Sequence, residues 1–134
     1  GNFRMVSDRV GDFIIRLKNA GAIAKQDVVL AHGSHIEAIA RKLKELGFVQ
    51  DVSVSKKLPK ELIVTLAYDD AGTHKIKGVK RISKPGRRMY TSAQDAHSVL
   101  NGFGARILST PKGILSDREA RKVRAGGEAL FEIW

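Results

Sequence analysis

The chain contains no cysteine, which excludes disulfides and thiolate metal sites and is compatible with a reducing compartment. No apolar run approaches the roughly 20 residues of a membrane-spanning helix, and the first residues carry no signal-peptide pattern. Aromatic residues make up only 6%, and no basic helix with an aromatic apolar face is present, which argues against docking on a membrane surface. Internal repeats and low-complexity tracts are missing. Catalytic constellations are missing too. There is no G-x-S-x-G elbow, and Gly102-Phe103-Gly104 lacks the phosphate-loop pattern. His32, His35, His74 and His97 fall in loop, helix and strand contexts. His32-x-x-His35 has neither Cys nor clustered carboxylates to complete a metal site. Asp69-Asp70 lies in a turn, where such residues serve the backbone. The expectation is a chain with no catalytic residues, no cofactor and no metal.

What remains is charge and a core. The chain has 134 residues, 43% of them hydrophobic, which suits one compact unit or two small lobes and makes intrinsic disorder an unsuitable description. Its net charge is +10, from 24 basic against 14 acidic residues. A field of that strength on so small a chain selects polyanions as partners. RNA, DNA and an anionic membrane surface all satisfy it, and charge alone does not choose among them.

Gly1–Arg4 reads as an extension ahead of Met5. From Val6 onward, Val10, Phe13, Ile14 and Leu17 recur at helical spacing, with Arg9 and Arg16 on the opposite face. Asn19-Ala20-Gly21 is expected to end that helix. Two readings of the basic face, with Arg16, Lys18 and Asn19, stay open: solvation, or contact with nucleic acid. Val28–Leu30 is a short strand. A second helix is expected to open with a capping box from Ser34 to Glu37. It buries Ile36, Ile39, Ala40 and Leu43, and ends with a left-handed Gly47 and Phe48 folded back on Leu43. Arg41, Lys42 and Lys44 read as a solvated face, with Glu37 placed to pair with Arg41. Phe48–Ser55 alternates around Val52 and Val54, and Leu62, Val64, Leu66 and Tyr68 alternate cleanly as a half-buried strand. A further strand of this meander is expected through Ile76, Val79 and Ile82. The order gives an α+β unit, with two helices on one face of a three-stranded sheet.

Lys75–Arg88 holds Lys75, Lys77, Lys80, Arg81, Lys84, Arg87 and Arg88 without an intervening acid. On a strand–turn–strand, such a run either contacts phosphates or keeps a sheet edge from pairing with other chains. Tyr90, beside it, can stack on a base or pack at a junction. Ser92–Asn101 is a weak, short helix candidate. Gly104–Arg121 then reads as strand, turn and helix. Ala105–Leu108 is apolar, Ser109-Thr110-Pro111-Lys112-Gly113 is a polar turn, and Ile114-Leu115 resumes burial. Ser116 and Glu119 form a capping box. Glu128–Trp134 closes the chain as a strand with Ala129, Phe131 and Ile133 on one face.

Gly104, Ile107-Leu108, Ser109-Thr110, Gly113, Ile114-Leu115 and Ala120-Arg121 stand at the spacing of a signature segment. The chain resembles small-subunit ribosomal protein eight in its bacterial form, over essentially everything from Met5 onward. Pro85-Gly86 and Gly126-Gly127-Glu128 extend the match, while Pro111 departs from it, standing where a small hydroxyl residue is common. The resemblance implies two α+β lobes, 5–82 and 83–134, the second mostly antiparallel β with short helices. It implies binding to a stem in the central domain of small-subunit rRNA early in assembly. Ser109, Thr110 and the backbone around Gly113 would read the stem. Lys112, Lys80, Arg81, Lys84, Arg87 and Arg88 would neutralise phosphates, and Tyr90 and Glu128 would stack or orient. Glu128 has two open readings, as an acceptor from a 2′-hydroxyl or base amine or as the ion-pair partner of a nearby arginine. The implied partners are rRNA, neighbouring ribosomal proteins and, as a second role of the family, the protein's own messenger RNA. The implied location is the small subunit of a cytoplasmic or organellar ribosome. A generic DNA-binding or architectural protein is the alternative, although neither strong helix has an obvious base-reading face.

Overall fold

The computed structural model describes residues 8–93 and 103–134. The extension before Met5 lies outside them, as does the expected Ser92–Asn101 helix from residue 94 on. Helix α1 (Arg9–Ala22) is capped by Asp8, whose carboxylate accepts from the Gly11 N–H at 3.2 Å. It buries Phe13, Ile14, Leu17 and Ala20, as the 3.6-residue period requires. The helix runs past the expected stop. Gly21 is needed for a different reason: a Cβ there would collide with the His74 imidazole. The left-handed residue is instead Ala24, at φ 56°.

Strand β1 (Asp27–Ala31), helix α2 (Ser34–Glu45) and strands β2 (Val49–Val54) and β3 (Glu61–Leu66) follow. The strands form an antiparallel sheet in the order β1-β3-β2. Arg9 and Arg16 donate to the carbonyls of Ala31 and Val29 at 2.5 and 2.8 Å. The expected capping box at Ser34 does not form. Gly33 is the N-cap and makes no side-chain cap bond. Glu37 is instead held by His32 at 2.6 Å and Arg41 at 2.7 Å, so it does not reach back to the helix start. The C-terminus of α2 is a Schellman motif, with Phe48 N–H on Leu43 O at 2.9 Å, Gly47 N–H on Lys44 O at 3.0 Å, and Gly47 at φ 85°.

The second sheet contains β4 (Val79–Arg81), β5 (Tyr90–Thr91), β6 (Ala105–Thr110), β7 (Gly113–Ser116) and β8 (Gly127–Ile133), with helix α3 (Asp117–Val123) between β7 and β8. The order is β4-β8-β6-β7, with β5 also paired to β8. The strand expected through Ile76–Ile82 shrinks to three residues and pairs with β8 rather than with the meander. Its approach is fixed at the end of the chain, where Lys77 and Gly78 N–H groups donate to Trp134 O at 2.6 and 3.0 Å. Local alternation in a sequence carries no information about which sheet a strand joins. Strand β8 carries a bulge: Ile107 faces Phe131 and Leu108 faces Ala129, leaving Leu130 without a β6 partner between them, while its carbonyl accepts from Ile82 and Ser83 N–H. One continuous core joins Phe13, Leu43, Leu62 and Leu66 to Ile107, Phe131 and Ile133. A small cluster of Leu108, Ala120 and Ala129 seats α3.

Two charged groups depart from the roles expected of them, Lys42 from a solvated face and Arg81 from a free phosphate contact. Lys42 is buried and bridges Glu45 at 2.6 Å and Glu119 at 3.0 Å, tying α2 to α3. Burial opposes its charge, but the two carboxylates outweigh it and hold its pKa above the ordinary value. Arg81 makes a bidentate ion pair with Asp8. That hydrogen bond holds the Asp8 carboxyl below its usual 3.8, against a partial desolvation cost. A depressed carboxylate stabilises the fold above the unfolded pKa and loses that contribution as pH falls through the folded one. Wild-type thermal stability should therefore drop on acidification below about pH 4, and Asp8→Asn should flatten that part of the profile. The neutral-pH loss in the variant should stay near about 1 kcal/mol, since the pair is partly exposed. A variant profile as steep as wild type would contradict the pairing.

Candidate nucleic-acid interface

The polar turn of the signature segment is the tip of a hairpin. Thr110 pairs with Gly113 across the loop residues Pro111 and Lys112. Gly113 adopts φ 111°, a conformation that suits glycine. The Thr110 hydroxyl closes the turn from inside, accepting from Lys112 N–H at 3.1 Å and donating to Gly113 O at 2.9 Å. Its proton is committed, and only acceptor capacity is left. Behind the tip, Ile107 and Leu108 are buried and Ile114 and Leu115 half-buried. The Ser116–Glu119 capping box forms in both directions. Buried Asp117 accepts from Arg106 N–H at 3.0 Å and from Arg121 at 3.1 Å, pinning α3 to β6.

Sheet register brings three of the expected residues into one row. Ser109 faces Glu128, and Glu128 faces Tyr90 on its other side. Directly opposed residues share a sheet face, so the three side chains stand side by side. Tyr90 is 74% exposed. Glu128 is the ion-pair partner of Arg88 at 3.0 Å, which fixes the carboxylate within the row.

The row is drawn together by two glycines. A Cβ on Gly127 would overlap Ser109 O and lie 3.0 Å from Thr110 Cα. One on Gly126 would lie 2.7 Å from Thr91 O and 3.0 Å from Ser92 Cα. Both neighbours are backbone, so β6 and the end of β5 approach the Gly126-Gly127 segment more closely than any side chain allows.

Lys84, Pro85, Gly86 and Arg87 form a second tight turn. Lys84 and Arg87 exchange backbone hydrogen bonds at 3.0 Å, with Gly86 at φ 82°. The buried Ser83 hydroxyl latches the turn's base, accepting from Met89 N–H at 2.9 Å and donating to Met89 O at 3.3 Å. Lys80, Lys84, Arg87 and Arg88 are exposed. Arg81 is the exception in this run, held by Asp8 and by Ser83 O at 2.8 Å. On α1, Lys18 and Asn19 are exposed, whereas Arg16 is engaged with β1. These three lie on a different element from the row. The structure thus unites Ser109, Thr110, Lys112, Gly113, Tyr90, Glu128 and Arg88. Sequence reasoning missed Ser83 and the backbone role of Gly126-Gly127; an adjacent glycine pair just before a strand was the only local signal.

A family model described as Ribosomal protein S8 matches residues 8–134. The small ribosomal subunit protein uS8 of Streptococcus mutans is 44% identical over 132 residues, covering 97% of this chain and 99% of the relative. That of Mycoplasmopsis synoviae is 42% identical over 131 residues, covering 96% and 98%. The small ribosomal subunit protein uS8c of Chlorella vulgaris is 40% identical over 138 residues, covering 97% and 100%.

Proposed function

Because this chain belongs to the ribosomal protein S8 family, we propose that it is a structural, non-enzymatic constituent of the small ribosomal subunit that binds a stem in the central domain of the rRNA and supports assembly. The observation that carries the reading is the Tyr90–Glu128–Ser109 row, set beside the closed Thr110–Gly113 hairpin. A-form RNA offers its wide minor groove, with 2′-hydroxyls and base edges, to shape readers. Ser109 can donate and accept there. Thr110 keeps an acceptor for a 2′-hydroxyl, and Glu128, oriented by Arg88, accepts from a hydroxyl or base amine. Tyr90 offers a stacking face. Lys80, Lys84, Arg87 and Lys112 supply sequence-independent phosphate contacts, with Lys18 and Asn19 a separate contact on α1. Arg81 acts mainly through Asp8. The reading keeps 83–134 as the RNA-binding lobe and 5–82 as its support. It includes neighbouring ribosomal proteins and the protein's own messenger RNA as partners, and the small subunit of a cytoplasmic or organellar ribosome as location.

The test is binding to a short central-domain stem against a scrambled stem and duplex DNA, at two salt concentrations. A preference for the stem that survives higher salt is expected, because hydrogen-bonded readout is less salt-sensitive than charge. Ser109→Ala should weaken stem binding about three- to tenfold without moving the melting temperature, and leave scrambled RNA unaffected. Equal binding to all three polymers would favour the architectural DNA-binding alternative.

A further inference from the structure

Arg124 occupies the left-handed region, at φ 55° and ψ 44°, as the C-cap of α3. Glycine takes that conformation readily, whereas other residues do so at a cost of about 1 kcal/mol. Strained, solvent-facing residues beside a ligand surface are candidates for function. Two observations place Arg124 beside such a surface, and a third concerns its charge. The hairpin tip folds against the end of α3, with Lys112 Nζ 3.4 Å from Val123 O. Arg124 lines a depression with Ser92, Ala93 and Arg121, immediately after β5 and next to the close approach at Gly126. The acids of α3 are in its first turn and already engaged, Asp117 with Arg106 and Arg121, and Glu119 with Lys42 and Ser116. The exposed cations Lys122 and Arg124 therefore end the helix without a local carboxylate of their own element.

We propose that Arg124, with Lys112 and Lys122, forms a second phosphate-contact track along the side of the hairpin that α3 covers, opposite the row's side. The track engages the backbone of the RNA strand whose minor groove the row reads. The proposal rests on the functional reading above and adds residues to it. The left-handed Arg124 ends α3, and the chain turns there so that Ala125 is buried while Arg124 stays exposed.

The alternative role for Arg124 is favourable interaction with the C-terminal end of the helix dipole. Two variants separate the roles. Arg124→Gly relieves the backbone and removes the charge; Arg124→Lys keeps the charge. Binding of the full chain to the central-domain stem is measured across a salt series, with melting temperature as the folding control. Arg124→Gly should melt no lower than wild type by more than about 2 °C. It should bind about three- to tenfold more weakly, with a salt slope reduced by about 0.9, the value for one lost phosphate contact. Arg124→Lys should restore the slope. An Arg124→Gly protein with wild-type affinity and slope would overturn the track. The wild-type preference for stem over scrambled RNA, read in the same series, tests the functional reading separately, since it does not depend on Arg124.

Discussion

Gly127→Ala is expected to lower stability by about 3 kcal/mol, the upper end for overpacking because the obstacle is backbone, and to lower the melting temperature by about 10 °C. The added methyl group would overlap Ser109 O and sit 2.9 Å from Ser109 C. Neither can rotate away, so β6 and β8 must part at the row. Ser109 and Glu128 would then no longer stand at sheet spacing, and stem affinity should fall about tenfold or more, as expected when two or more hydrogen bonds are lost together. Gly126→Ala should do less, because its nearest obstacle is 2.7 Å away. Thermal melting and stem binding of the two variants give the ranking. A Gly127→Ala protein with wild-type affinity would show that strand spacing at the row is irrelevant to RNA.

The second large effect is at Phe131, fully buried where β4, β8 and β6 meet. Phe131→Ala should cost about 3–5 kcal/mol, from lost transfer energy plus the cavity left behind. Its side chain belongs to the core that also holds Phe13, Leu43 and Leu62. Destabilisation should therefore be shared by both sheets, and denaturant unfolding should remain one transition with a lowered midpoint. Two separate transitions, with only the later one shifted, would mean that the sheets unfold independently despite their common core.

Features set by local chemistry were legible in the sequence. The Schellman end of α2, the alternation in β3, the Ser116 capping box and the polar tip after Leu108 all depend on residues within a few positions of one another. So were most of the row's members, because the signature segment and Gly126-Gly127-Glu128 are specific. What was not legible depends on long-range pairing. Lys42 reads as one more surface cation until α3 brings Glu119 to it. Arg81 reads as a phosphate contact until α1 brings Asp8, 73 residues away. Ser34 and Glu37 have capping-box spacing, but His32 and Arg41 hold the glutamate elsewhere. The strand at Val79 alternates adequately for either sheet, and only the backbone bonds to Trp134 decide it.

Leu130, the extra residue of β8 opposite β6, sets the phase of the strand. Phe131 and Ile133 share a face with Ile107 and Ala105, and Glu128 shares that same face with Ser109, although Glu128 and Phe131 are an odd number of positions apart. In a regular strand, residues three apart point to opposite sides. Without the extra residue, β8 would meet one demand only: with Phe131 in the core, Glu128 would turn to the other side of the sheet from Ser109 and Tyr90. A single added position thus lets one strand face the interior with Phe131 and Ile133 and still hold Glu128 beside Ser109 and Tyr90.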